Sequence, residues 1–291
     1  METFVSELPL AIFTLCVLLG AGAFVVQGVA VLVGDSYGKG DAAQGVSDQM
    51  AGNKTSLICL LVVIAGFVAA FFHLANPLHA VFTLTGLGSS PLSSEILMGS
   101  IFVIAAAVYC FLGTRDKMNL TVRKVYGAVL AILGLLFVAF TGAAYMMNTI
   151  VTWDTPLSVI ESVGIALLAG AVVYESLEVL QGITASSRVR RMTVFAIMSV
   201  GAVVGFSALG VHVFQAGLLH SGLTNGVVVV QGVMPPLVVF FIAGLIAWGL
   251  GWYLLFHRAS RGHAVAALAC IVIVAFAARM VFYGLQLSVG L

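Results

Sequence analysis

A histidine and a carboxylate lie at the facing ends of two neighbouring apolar stretches. His73 closes the first stretch before Pro77 interrupts it, and Glu95 opens the second stretch after a loop rich in glycine, serine and proline. A histidine titrates near neutral pH and a carboxylate can relay its proton to water, so this pair could accept protons from a substrate. Arg279 is a third candidate, because it lies inside the last apolar stretch. A charge there costs about 2.5–3.5 kcal/mol on insertion scales and needs a partner or a wet cavity.

Helical spacing adds a tyrosine to these candidates. Tyr283 and Gln286 follow Arg279 at i+4 and i+7, so one polar stripe is predicted to point into a helix bundle. Each candidate also has a structural explanation: His73 could cap helix carbonyls, Glu95 could complement a helix dipole, and Arg279 could form an ion pair with Glu95. Their types alone leave these alternatives open.

The composition places the elements that carry these residues in a membrane. Hydrophobic residues make up 62% of the chain and charged residues only 8%, against about 25% charged residues in ordinary soluble domains. We therefore predict an all-α integral membrane protein that forms one domain over residues 1–291. The net charge of +1 gives no basis for binding nucleic acid. The four cysteines lie in apolar stretches without CxxC spacing, so no zinc or iron–sulfur site is predicted.

Eight stretches are long enough to cross a bilayer, which takes about 20 residues. Runs this long, without alternation, are typical of helices and not of barrel strands. The predicted spans are Leu8–Val33, Thr55–Leu74, Ile96–Gly113, Val125–Met147, Leu157–Leu180, Thr193–Ala216, Met234–Phe256 and Val265–Leu287.

The basic residues indicate how the eight helices are oriented. Eleven of the twelve lysines and arginines fall in or beside the first, third, fifth and seventh connections, and Arg279 is the exception. The positive-inside rule then places these connections in the cytoplasm and both termini outside the cell membrane. In this topology His73, Glu95 and Arg279 share the outer side with Glu161 and His212. Glu175 and Glu178 fall at the inner end, where we expect interfacial partners.

The outer polar cluster fits the needs of quinol oxidation, which releases two protons and two electrons. The chain encodes no obvious redox metal, so the electrons would have to pass to a cofactor in a partner on the outer face. A haem between His73 and His212 is an alternative, disfavoured because no second histidine pair lies near the inner side. The roles of Asp154, Glu161 and His212 stay open.

Two segments resemble the dimethyl sulfoxide reductase membrane anchor subunit (DmsC) family. HLANPLHAVFTLTGLGSSPLSSEILMGSIF, His73–Phe102, is similar to the family's helix 2 to helix 3 segment, with Ala75 where glycine is usual. ARMVFYGLQLSVG, Ala278–Gly290, is similar to its last helix. TWDTP, Thr152–Pro156, is similar to a Trp-Asn-Thr-Pro element of related anchors, with Asp154 in place of asparagine.

The resemblance implies a haem-free anchor that carries the quinol-oxidation half-reaction of a molybdopterin oxidoreductase complex. Menaquinol would be its substrate, and the chain would bind no haem or metal. The electrons would pass to a four-cluster iron–sulfur subunit on the extracytoplasmic face, and through it to a molybdopterin catalytic subunit. His73 would bind quinol and accept a proton, and Glu95 would relay protons. Arg279 and Tyr283 would be further members of the quinol site. The loop Ala75–Ser94 would cover this site.

Two other functions are compatible with the same pattern. A polysulfide-reductase-type anchor would share the quinone chemistry but serve another terminal substrate, which a different polypeptide selects. A small-solute or proton-coupled transporter would be expected to have internal repeats and helices broken near the midplane. We find no convincing repeat, and Pro235 and Pro236 are predicted at the start of the seventh helix.

Overall fold

The computed structural model describes residues 8–34, 42–72, 86, 88, 90–115, 118–183, 187–220 and 225–287, with residues 42–51 described as backbone. Across these residues the chain is all-α and contains eight helices, each long and apolar enough to cross a membrane. The predicted fold class is thus confirmed. His73 and most of the loop Ala75–Ser94 lie outside the described residues.

The helices agree closely with the predicted spans. Both Leu8–Val33 and Leu157–Leu180 have the predicted bounds, whereas the second helix begins 13 residues before the predicted Thr55. In chain order the helices are α1 (Leu8–Val33), α2 (Ala42–Phe71), α3 (Pro91–Thr114), α4 (Leu120–Ala143), α5 (Leu157–Leu180), α6 (Arg188–Leu218), α7 (Gly226–Phe256) and α8 (Arg261–Gly284).

The predicted start of the seventh helix is wrong. α7 begins at Gly226, where the side chain of Asn225 caps it by accepting a hydrogen bond from the Val227 amide, so Pro235 and Pro236 lie inside the helix. Proline is favoured in a first helical turn, which is why the pair suggested a boundary. Transmembrane helices tolerate internal prolines because neighbouring groups can satisfy the freed carbonyls.

Small residues bring the two central helices, α1 and α5, into backbone contact. A methyl group on Gly170 would collide with the backbone of Gly22, and one on Gly22 would collide with that of Ala166. Lipid tails are as apolar as leucine, so helices in a bilayer associate through such close packing and not through a hydrophobic driving force. Gly205 of α6 contacts Gly164 of α5 in the same way.

The up-and-down order of the helices brings particular helix ends together. One end of the bundle carries the 144–156 connection, and we call it the Trp153 end. Helices α3 and α5 begin there, and helices α4, α6 and α8 terminate there. Trp153, in that connection, packs with Ala11 near the start of α1 and with Phe282 near the end of α8. Glu95, Glu161, His212 and Arg279 all belong to these helix ends, whereas the basic connections lie at the opposite, basic end.

A group of buried polar residues also lies at the basic end. Glu175 and Glu178 of α5 are both buried and pair with Arg190 of α6, whose Nη2 lies 2.9 Å from Glu175 Oε1 and 3.7 Å from Glu178 Oε2. Thr55 of α2 also donates a hydrogen bond to Glu178 Oε1, at 3.2 Å. The two glutamates therefore have a basic partner, as expected, and both are buried between helices.

Candidate functional site

Glu95 lies in the second turn of α3, four residues after Pro91, which starts the helix. Its side chain is 4% exposed. One carboxylate oxygen, Oε1, has no hydrogen-bond partner among the described residues. The carboxyl group interacts with the hydroxyl of Thr141 on α4, which itself donates to the Phe137 carbonyl at 3.0 Å. Buried polar atoms are nearly always bonded, so Oε1 is a candidate to bind a ligand group or water.

A pair of tyrosines lies beside Glu95. The hydroxyls of Tyr145 and Tyr283 are 2.6 Å apart, and both feel the charges of Glu95 and Arg279. Burial raises the pKa of Tyr145 well above its usual value, so this phenol stays protonated and can donate a hydrogen bond. Trp153 stacks on Phe282 with ring centroids 5.1 Å apart and donates from Nε1 to the Phe282 carbonyl at 2.9 Å. These contacts fix both tyrosine rings in a tight aromatic group.

Arg279 is 1% exposed and points into the bundle, as predicted. Among the described residues its ion-pair partner is not Glu95 but Glu161 of α5, with 3.8 Å between Nη2 and Oε1. Nη2 also lies 3.5 Å from Ser162 Oγ, and the guanidinium lies over the Phe282 ring at 5.2 Å. Arg279 Nε, like Glu95 Oε1, has no hydrogen-bond partner in this part of the structure.

His212 of α6 completes the buried polar group. Its Nδ1 lies 2.9 Å from Glu161 Oε2, and its Nε2 lies 2.7 Å from the carbonyl oxygen of Thr152. A carbonyl can only accept, so Nε2 carries a proton and donates it to Thr152. With both ring nitrogens engaged in this way, His212 joins Glu161 of α5 to the backbone of Thr152.

An aromatic layer lies one helical turn deeper than Glu95. Gly99, at i+4 from Glu95, packs directly on the rings of Phe67 and Phe137. Those two rings stack with centroids 5.8 Å apart, and Phe13 meets Phe67 edge to face at 5.2 Å. A flat apolar ring could lie against such a layer while its polar groups reach Glu95.

The structure thus brings three of the four predicted site residues together. Glu95, Arg279 and Tyr283 are buried at the Trp153 end, while His73 lies outside the described residues. Asp154 and His220 are exposed, as residues of loops or their margins should be.

Sequence reasoning left two members of this group without a role. Glu161 is 0% exposed and His212 is 1% exposed. Through their ion pair they link Arg279 to the segment 144–156. The signal in the sequence was an ionisable residue inside an apolar span. The sequence did not reveal which residue would be its partner, because the partner depends on how the helices are rotated.

Comparison with known proteins identifies the family of the chain. Residues 1–285 match the family described as DMSO reductase anchor subunit (DmsC). The chain belongs to this family. The anaerobic dimethyl sulfoxide reductase chain YnfH of Escherichia coli is 27% identical over 292 residues, covering 98% of this chain and 96% of the relative. A chain of the anaerobic dimethyl sulfoxide reductase of Haemophilus influenzae is 25% identical over 295 residues, covering 100% of this chain and 99% of the relative. A second Escherichia coli relative, also a chain of an anaerobic dimethyl sulfoxide reductase, is 34% identical over 148 residues, about half of each protein.

Membership of the DmsC family gives the eight helices a role as a membrane anchor. The chain is a multi-pass membrane anchor of a DMSO reductase complex, in which it accompanies catalytic and iron–sulfur subunits. This family match also favours the DMSO reductase interpretation over the polysulfide-reductase-type and transporter alternatives.

Proposed function

We propose that this DmsC-family anchor oxidises menaquinol at the Trp153 end and passes the electrons to the iron–sulfur subunit. The observation that carries the proposal is the buried Glu95 carboxylate, whose Oε1 lacks a partner among the described residues, while Arg279 Nε, in the same polar group, also lacks one. A carboxylate oxygen above an aromatic layer and a guanidinium nitrogen in the same polar group, both without a partner among the described residues, suit a ligand with a flat ring and oxygen atoms on its edge. Menaquinol has this shape and chemistry.

The half-reaction breaks two O–H bonds of the quinol and yields menaquinone, two protons and two electrons. Glu95 and His73 take the protons, in line with the roles that their sequence segment suggests. Arg279 places a positive charge beside the oxygen atoms while they lose protons, and a positive charge stabilises an oxygen that becomes anionic. The electrons leave to a cluster of the iron–sulfur subunit, which we propose carries four clusters and relays them to the molybdopterin subunit.

Electron transfer to a partner subunit requires the site to lie near the surface on which the partner docks. The distribution of basic residues favours the extracytoplasmic side for the Trp153 end and for both termini. The iron–sulfur subunit would then dock at that face, over the loop Ala75–Ser94. The anchor itself needs no haem or metal for this route.

The test uses the complete complex with the Glu95→Gln anchor, and His73→Ala in parallel. Quinol-dependent reduction of DMSO should fall about a hundredfold or more, since acid–base groups contribute typically 10²–10⁴-fold. Reduction driven by a viologen dye, which delivers electrons to the soluble subunits, should be unchanged. Glu175→Gln, the same substitution at a buried glutamate of the basic end, is the control and should keep wild-type rates. Wild-type quinol oxidation by assembled Glu95→Gln complex would refute the site.

A further inference from the structure

The pair formed by Glu161 and His212 holds one shared proton. Nε2 of His212 must donate to the Thr152 carbonyl, so only Nδ1 can vary. At 2.9 Å from Glu161 Oε2, two lone pairs would repel each other, so one proton lies between these atoms. The pair is then either imidazolium with carboxylate or neutral imidazole with carboxylic acid, and its net charge is zero in both forms.

Among the described residues, the charges of the buried group balance when Glu95 is ionised. Arg279 contributes +1, Glu95 contributes −1 and the pair contributes zero. When Glu95 accepts a proton from a substrate, a net charge of +1 remains in this buried group. An uncompensated buried charge is strongly unfavourable. Loss of the shared proton would restore neutrality: the Glu161 carboxylate, no longer bonded to Nδ1 of His212, would turn towards Arg279 and balance its charge.

The pair also lies close to the surface of the described structure. Thr152, which accepts from His212, is flanked in the 144–156 connection by the exposed Val151 and lies two residues from the exposed Asp154. Arg279 lies on its other side, towards the tyrosines and Glu95.

Few other charges act on the pair. Among the described residues, the charged groups that interact with His212 are Glu161 and Arg279. Helices α1 and α7, which pack against α5, contain no charged residue, and the charged residues of α4 lie at its other end.

We propose that Glu161 and His212 form a second proton-exchanging group of the site, which releases its shared proton as Glu95 accepts one from the substrate. The proposal rests on the quinol-oxidising function inferred above. One quinol proton binds to the Glu95 carboxylate, and the proton between Glu161 and His212 leaves towards the Thr152 connection. Glu95 later passes its proton to the pair, which returns to its starting state, so that one proton has reached solvent for the one that Glu95 took from the quinol. The second quinol proton follows the other route proposed above.

The test compares Glu161→Gln with Glu175→Gln in the complete complex. A glutamine at position 161 can donate from its amide to Nδ1 of a neutral His212, so it keeps the hydrogen bond but has no exchangeable proton. The two substitutions are chemically identical, on the same helix and equally buried, at opposite ends. His212→Asn removes the shared proton from the other partner and is the second variant.

Rates are measured with a water-soluble naphthoquinol as donor, across the neutral pH range, together with binding of the corresponding quinone. We expect Glu161→Gln to assemble and bind quinone normally. Its turnover should fall by about ten- to a hundredfold. This loss is no larger than the smallest rate effects typical of acid–base groups, about a hundredfold, because Glu95 is retained. The limb of its pH–rate profile that rises towards neutral pH should flatten, which a purely structural role would not cause. Glu175→Gln should keep both rate and profile.

Two results separate this proposal from the function on which it rests. If Glu95→Gln is impaired but both Glu161→Gln and His212→Asn keep wild-type turnover and pH profile, the proton-exchanging pair is refuted and the quinol site stands. If Glu95→Gln itself oxidises quinol at the wild-type rate, the quinol site is wrong and the proposal for the pair falls with it.

Discussion

Replacing Arg190 by methionine should destabilise the anchor without altering its chemistry. The guanidinium is 11% exposed and lies between two buried carboxylates, those of Glu175 and Glu178. Methionine keeps much of the apolar volume of the side chain and removes the charge. The two carboxylates would then lose the positive charge of Arg190 that lies within 4 Å of both.

The distances give the size of the effect. At an effective dielectric constant of about 20, an ion pair at the 2.9 Å between Arg190 and Glu175 is worth about 6 kcal/mol of Coulomb energy, and one at the 3.7 Å to Glu178 is worth about 4–5 kcal/mol. Desolvation offsets much of this energy in the intact cluster. Removing one partner of a buried ion pair costs about 3–5 kcal/mol, because the other charge stays buried. We expect a loss of this size in the free energy of unfolding.

The assay measures unfolding of the purified anchor in mixed micelles and the amount of complex assembled in membranes. Arg188→Met is the matched control, since Arg188 is exposed in the same first turn of α6. It should change the free energy of unfolding by no more than a few tenths of a kcal/mol, as surface substitutions usually do. Adding Glu175→Gln to Arg190→Met should recover part of the lost stability, because one orphaned carboxylate is removed.

Two results would contradict this reasoning. If Arg190→Met is no less stable than Arg188→Met, the basic-end ion pairs do not hold α5 against α6. If the remaining assembled complex shows a lower turnover per molecule, the basic end takes part in the proton chemistry, contrary to its assignment as a structural cluster.

Two further substitutions test the packing of the site and of the bundle. Tyr283→Phe removes one member of the 2.6 Å hydroxyl pair and leaves the buried Tyr145 hydroxyl short of a partner. We expect a loss of about 1–3 kcal/mol in unfolding free energy, and an unchanged stability would show that water replaces the hydroxyl. Gly170→Leu places a side chain against the Gly22 backbone and should prevent assembly of the anchor, whereas Gly249→Leu, beside open space on α7, should assemble normally in the same membrane-expression assay.

Much of the fold could be predicted because bilayer insertion depends on local sequence. The spans of α1 and α5 have the predicted bounds, since an apolar stretch bounded by polar residues fixes where a helix enters and leaves the membrane. The start of α7 could not be read in this way. Its prolines suggested a boundary, but the cap supplied by Asn225 and the apolar residues that follow it extend the helix.

The eight helices, and the bundle end that Glu95, Arg279 and Tyr283 share, could be predicted from residue order, because hydropathy and alternating helix direction depend on nothing else. The contacts between these groups could not be predicted in this way. Arg279 pairs with Glu161 and not with Glu95, and His212 binds both Glu161 and the Thr152 carbonyl. These partners depend on how each helix is rotated and which helices are neighbours. Rotation is set by backbone contacts between small residues, which apolar sequences mark only weakly.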